Sequence, residues 1–288
     1  MRVFVVGSQG QLGRTLAETA PAANDVAGAD LPELDISDRQ LLQARFAVER
    51  PNFVVNAAAY TAVDKAESEP DVARRVNADG AGNVAHAAAE AGARVIHVST
   101  DFVFDGTKGV PYCPDDAPAP LGVYGQTKLD GEVAVRGATD GDAVIIRTAW
   151  LYSRFGQNFV KTMLRLMGER DKLSVVSDQR GTPTWARSLA EVIWAAIDRN
   201  APGGLYHWTD GGEASWYEFA EAIYREARSA GILDRDVTIC PIPTADYPLP
   251  ARRPAYSVLD CSATVDAMGV EQIDWASRLQ QMLPEMRG

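Results

Sequence analysis

Apolar residues fall in short runs along the first half of the chain, separated by polar and glycine-rich punctuation. Val3–Val6, Val26–Ala29, Phe53–Asn56, Val95–Ser99 and Val144–Thr148 are such runs. Stretches this short and this continuous suit strands buried on both faces of a sheet. Between them, helical spacing covers Leu12 to Ala20, Ser37 to Glu49, Asp71 to Ala91 and Tyr124 to Val135. Ser37 is the expected N-cap of the second helix, and Gly92 the stop of the third. Strands alternating with helices predict a parallel sheet covered on both sides, an α/β fold of the Rossmann-type doubly wound kind.

After Trp150 the rhythm loosens. Helical patterns cover Phe159–Met167, Arg187–Asp198, Trp216–Ala230 and Trp275–Met286, and a Pro-rich stretch runs from Cys240 to Pro254. We expect a dinucleotide-binding domain over residues 1–150 and a smaller mixed C-terminal substrate-binding lobe built mainly from 151–288. Later segments such as Leu205–Trp208 are expected to return to the first sheet.

Composition narrows the function. The 288 residues carry 28 Lys+Arg against 39 Asp+Glu, a net charge of −11. That balance argues against a non-specific nucleic-acid binder, which needs a basic footprint. No apolar run is long enough for a transmembrane helix, and the chain start lacks the apolar stretch of a signal peptide. Cys113, Cys240 and Cys261 lie far apart and form neither a disulfide framework nor a metal-ligand spacing. We therefore expect a cytoplasmic protein with no membrane or nucleic-acid partner. His97 reads as a core histidine within a strand. His86 and His207 likewise lack metal-ligand spacing.

Three motifs carry chemistry. Gly7-Ser8-Gln9-Gly10-Gln11-Leu12-Gly13 follows the first strand and opens the first helix. Gly7 permits a tight turn, Gly10 lets backbone approach a pyrophosphate on the helix N-terminus, and Gly13 lets helix and strand pack closely. Tyr124 and Lys128 share one face of a helix at i and i+4. An ammonium beside a phenol is expected to lower the tyrosine pKa and make it a general acid for a carbonyl oxygen. Ser99-Thr100-Asp101 ends the fourth strand, where a hydroxyl can donate to a substrate oxygen.

Together with Asn56-Ala57-Ala58-Ala59, these motifs resemble the extended short-chain dehydrogenases/reductases. The blocks Asn56–Pro70, Ser99–Gly106, Val123–Glu132, Arg147–Tyr152, Asn158–Leu164 and Pro250–Asp260 resemble, more narrowly, the dTDP-4-dehydrorhamnose reductase family over nearly the whole chain. The resemblance implies reduction of the C4 ketone of a dTDP-linked 6-deoxy-4-ketohexose by NADH or NADPH. It implies Tyr124 as proton donor, Lys128 on the nicotinamide ribose, and Thr100 on the substrate oxygen. Gly10, Gln11 and Leu12 would line the pyrophosphate. Asp35, Ile36, Ala59, Tyr60 and Thr61 would border the nucleotide. Asp101, Trp150 and Asn158 would touch the sugar nucleotide, and Arg252 or Arg253 could clamp its diphosphate.

Two departures from the family pattern stand out. Phe102 takes a position where members often carry Tyr. Thr15 stands where some relatives place an acidic Mg²⁺ ligand between subunits, so no metal site is expected. Asp30, Glu33 and Asp35 follow the second strand with no basic residue before Arg39, which favours NADH through the ribose hydroxyls over a 2′-phosphate. A monomer or a homodimer fits equally. A related deoxysugar 4-ketoreductase and a non-catalytic regulatory subunit on the same fold are the alternatives, and the Tyr124–Lys128–Thr100 set weighs toward an enzyme.

Overall fold

The computed structural model describes residues 1–287. Strands β1 (Arg2–Val6), β2 (Asp25–Ala29), β3 (Phe53–Asn56), β4 (Arg94–Thr100) and β5 (Val144–Thr148) lie in one sheet. Helices α1 (Gln11–Glu18), α2 (Arg39–Glu49), α3 and α4 (Val123–Ala138) alternate with them. The α3 helix is composite: Pro70–Arg74, a π-helical turn at Arg75–Gly80, then Ala81–Glu90. All five strands pair in parallel, in the order β2-β1-β3-β4-β5. The order reverses beside β1, which puts the topological switch point between the carboxyl ends of β1 and β3.

Period-two alternation divides each strand between two cores. Val3, Val5, Phe53, Val55 and Ile96 face one side with Leu12 and Leu16 of α1. Phe4, Val6, Val54, Val95 and Ile145 face the other with Leu42 and Phe46 of α2 and Val84 and Ala88 of α3. Asp38 caps α2 by accepting from the Leu41 amide at 3.0 Å. The expected cap, Ser37, instead donates its amide and hydroxyl to Asp35 in a local turn.

The second half weaves between two bodies. The short strand β6 (Leu151–Tyr152), α5 (Phe159–Glu169), β7 (Lys172–Val176), β8 (Arg180–Gly181) and β9 (Thr184–Trp185) leave the sheet. Helix α6 (Ala186–Asp198) returns, burying Leu189, Ile193 and Ile197 against the first core, and β10 (Gly204–His207) pairs with β5 as the sixth parallel strand. The chain departs again through β11 (Ala214–Ser215), α7 (Trp216–Ser229) and β12 (Thr238–Ile242). Helix α8 (Ser262–Met268) returns to the sheet body, and α9 (Trp275–Met282) closes the smaller lobe. Tyr152, Met163, Met167, Leu173, Phe219, Ile223 and Leu279 form that lobe's core. Residues 186–208 thus belong to the sheet body although they lie beyond residue 150. Strand β12 carries Pro241, which an edge strand tolerates, and among the described residues pairs only with β7. Among the described residues, no helix is long and apolar enough to cross a membrane.

Candidate active site

Strand β4 and helix α4 make one wall of a cleft over the carboxyl ends of the strands. Side chains one helical turn apart on α4 fasten it to consecutive residues of β4. Lys128 Nζ donates to the Val98 carbonyl at 2.7 Å, and Glu132 accepts from Ser99 Oγ at 2.5 Å. One turn earlier, the half-buried Tyr124 lies near Thr100, whose hydroxyl donates to Asp101 Oδ1 at 3.1 Å. Close contacts lock the register: a Cβ at Gly125 would lie 2.2 Å from the Phe102 carbonyl oxygen, and one at Gly131 2.1 Å from that of Asn77.

Electrostatics under this wall differ from the expected pattern. Desolvation pushes the Tyr124 phenol up to about 12, with only partial relief from the nearby Thr100 hydroxyl. The anticipated lowering by Lys128 does not occur, because that ammonium is aimed at the Val98 carbonyl and is itself brought down to about 8 by burial. Glu132 opposes that fall. A phenol in this state holds its proton at neutral pH, as a proton donor must. Asp101, buried beside Thr100, is raised to about 6 by burial, and its Oδ2 has no partner. His97, fully buried in β4, faces Asn56 at 3.2 Å, and burial holds it well below the usual imidazole range.

Several residues of this wall were not singled out by motif. Arg147 of β5 makes a bidentate pair with Glu132 at 2.8 and 2.7 Å, both side chains buried, so the carboxylate next to Lys128 is compensated. Glu132 could have been found by continuing the Tyr124–Lys128 spacing one more turn. Asn77 lies in the π-helical turn, a distortion frequent at functional sites. It accepts from the Tyr60 amide at 2.8 Å and donates to the Tyr60 carbonyl and Thr127 Oγ1. Nothing in the sequence around Asn77 announces that turn.

The glycine turn forms the floor. Gly7 has φ +80, and a Cβ there would lie 2.7 Å from the Ala58 amide nitrogen. At Gly13 a Cβ would lie 2.3 Å from the Gly7 carbonyl oxygen. Gly10 is the N-cap of α1 and supplies no side-chain partner, so the first amides of α1 are left for an anion. That arrangement fits a dinucleotide pyrophosphate. The Leu12 side chain is buried in the core, leaving its backbone to face the turn. Asp30 accepts from the Gln9 and Leu31 amides at 2.9 and 2.8 Å, fastening the turn to the end of β2. Asp35 shapes the next turn through Ser37, and Ile36 is buried against Gly80. Ala59, Tyr60 and Thr61 follow β3 at the switch point, half-buried to exposed.

The opposite wall belongs to the lobe. Trp150 follows β5 with φ 45, a left-handed conformation uncommon for a bulky residue. Its ring stacks on Trp216 at 3.5 Å and lies over Gly181, where a Cβ would approach to 2.6 Å. Beside it, Phe159, Met163, Leu166, Trp216, Tyr247 and Arg253 line a cavity of about 320 Å³. Asn158 was expected to reach a ligand. Its amide is instead engaged within the protein: Oδ1 caps α5 at Lys161, and Nδ2 donates to Gln11 Oε1, Ser153 O and Phe155 O. Arg253 is paired with Asp64, whereas Arg252 is exposed.

The Thr15 region does not fit a divalent cation. Thr15 donates its hydroxyl to the Gln11 carbonyl, and the nearby Glu18 and Glu285 already face Arg154 and Arg187.

The family model described as "RmlD substrate binding domain" matches residues 1–287. A dTDP-4-dehydrorhamnose reductase of Burkholderia thailandensis is 42% identical over 285 residues, covering 96% of this chain and 95% of that protein. The crystal structure of a dTDP-4-dehydrorhamnose reductase from Clostridium acetobutylicum superposes with a TM-score of 0.93 at 39% identity, over 100% of both chains. That of the Bacillus anthracis enzyme in complex with NADP does so with a TM-score of 0.93 at 37% identity, over 99% of each.

Proposed function

Because the chain belongs to the dTDP-4-dehydrorhamnose reductase family, we propose that it reduces the C4 ketone of dTDP-4-dehydrorhamnose to dTDP-L-rhamnose with a nicotinamide cofactor. It is an oxidoreductase. The observation that carries the reading is the placement of Tyr124 one turn from Lys128 on α4, near Thr100 at the end of β4, with Lys128 Nζ fastened to the Val98 carbonyl.

The bound cofactor supplies the hydride. Tyr124 supplies the proton to the C4 oxygen, and Thr100 donates a hydrogen bond to the same oxygen as charge develops. Lys128, anchored through one N–H on the Val98 carbonyl, keeps its remaining N–H groups for the nicotinamide ribose. The free amides of α1 take the pyrophosphate, and Asp35, Ile36 and Ala59 to Thr61 border the adenosine half.

Around the second strand, Arg39 is paired with Glu90 and Arg45 with Glu33, and the other guanidinium near this turn, Arg75 of the π-helical turn, lies close enough to Asp35 to help hold its carboxyl below the usual range. We therefore read NADH as used at least as efficiently as NADPH. On the lobe side, the aromatic cavity with Arg253 at its edge suits a thymidine diphosphate: flat apolar walls for the base and a guanidinium for phosphate oxygens. Asp101 and Trp150 border the sugar. The three free thiols suit a reducing cytoplasm. Incubation of the protein with dTDP-4-dehydrorhamnose and reduced cofactor should consume the two in equal amounts. Consumption of neither overturns the reading.

A further inference from the structure

The loop after β3 touches both walls of the cleft. Its single helical turn, Val63–Ala66, presents Asp64 and, just beyond, Glu67. Asp64 accepts from both terminal nitrogens of Arg253, at 3.0 and 2.8 Å, and from the Ala251 amide at 3.2 Å. Arg253 Nη1 also donates to the Ala251 carbonyl at 2.9 Å, so the guanidinium is held at the edge of the aromatic cavity with its Nε and one Nη2 N–H engaged by neither group. Glu67 reaches the other way. Its Oε1 accepts from the Val123 amide at 2.8 Å, immediately before Tyr124.

Helix α4 has no side-chain cap of its own, because Gly122 occupies the N-cap position. A Cβ there would lie 2.5 Å from Glu67 Oε1, so glycine makes room for the carboxylate. The loop itself is braced. Tyr60 donates its hydroxyl to Glu69 at 2.8 Å, Lys65 pairs with Glu69 at 2.9 Å, and Asn77 holds the Tyr60 backbone. A braced segment with one carboxylate on the helix of the proton donor and another on the arginine of the lobe fixes the spacing between the two.

We propose that residues 62–69 form a strut in which Asp64 positions Arg253 for the substrate diphosphate and Glu67 positions Tyr124 for the carbonyl. The proposal rests on the functional reading above. Its signature is a split. Asp64 acts through an arginine that meets a part of the substrate remote from the reacting carbon. Glu67 acts through the first turn of the catalytic helix.

The test measures kcat and KM for Asp64→Asn, Glu67→Gln, Arg253→Gln and the Asp64→Asn/Arg253→Gln double variant on dTDP-4-dehydrorhamnose. Losing one charge-assisted contact corresponds to about tenfold, so Asp64→Asn should raise the sugar-nucleotide KM about tenfold while kcat and the cofactor KM stay within about twofold. Glu67→Gln should lower kcat about tenfold with the sugar-nucleotide KM within about twofold. In the Arg253→Gln background, Asp64→Asn should add less than about twofold, since its effect runs through that arginine. If a variant fails to fold, Asp64→Glu and Glu67→Asp keep the charge, alter the reach, and should show the same split. Both changes falling on the same parameter, or full additivity in the double variant, overturns the strut. No wild-type turnover overturns the functional reading and the strut together. Wild-type turnover with an unchanged Asp64→Asn KM overturns the strut alone.

Discussion

The two walls of the cleft are built differently. The β4–α4 wall is local: Tyr124, Lys128 and Glu132 rise at one-turn intervals from a single helix toward Thr100, Val98 and Ser99, respectively, of a neighbouring strand. Glycines at 125 and 131 bring the backbones too close for any side chain to intervene. The lobe wall is assembled from Trp150, Phe159, Trp216 and the segment around Arg253, spread over about a hundred residues, joined by stacking and tied by one ion pair to Asp64 of the loop after β3. A reacting proton needs a donor fixed to a fraction of an ångström, which a helix zipped to a central strand supplies. Recognition of a large sugar nucleotide tolerates looser parts and is served by a surface that can vary without disturbing the sheet.

That contrast predicts where substitutions act. The largest effect should come from Tyr124→Phe, which keeps the edge-to-face contact with Phe102 but removes the proton. Loss of a general acid lowers kcat by about 10²–10⁴-fold, with cofactor affinity and folding retained. A variant keeping more than half the wild-type kcat breaks the assignment. Trp150→Ala attacks the other wall by removing the stack on Trp216. An aromatic pair of this kind is worth about one order of magnitude in binding, so the sugar-nucleotide KM should rise about tenfold with kcat within about threefold. A change confined to kcat would mean that the walls do not divide the work this way.

Cofactor choice should move less. Parallel steady-state measurements should give NADH a kcat/KM at least equal to that of NADPH, because carboxylates dominate the turn after β2. A tenfold or greater preference for NADPH would show that a 2′-phosphate finds a guanidinium there after all. Chelation should have the smallest effect. With Arg154 and Arg187 already facing Glu18 and Glu285, EDTA should leave turnover unchanged. Loss of activity restored by Mg²⁺ would contradict that.

The same contrast governs what could be read from the chain. The sheet strands alternate between two cores, and their short runs showed in the sequence because burial on both faces makes most positions apolar, with His97 and Arg147 as the polar exceptions inside them. Tyr124, Lys128 and Thr100 were legible because their spacing is local. Glu67, Asp64 and Asn77 were not, since each acts on a residue brought near only by the fold. Trp150 was placed by resemblance, but its left-handed backbone and its stack on Trp216 had no local signal. Strands β7 and β12 carry no clear sequence signal because they form a two-stranded pair whose second member contains Pro241. The phenol's rise rather than fall reflects burial, which a spacing argument does not see.

The most direct test of the central claim, that one wall delivers the proton to O4 while the other sets how the sugar is presented, follows the hydride itself. Wild-type protein is supplied with dTDP-4-dehydrorhamnose and cofactor deuterated at the transferable position, and the product is read by NMR. The account predicts deuterium at C4 of a sugar with the L-rhamno configuration. Deuterium at another carbon, or the opposite configuration at C4, would contradict it.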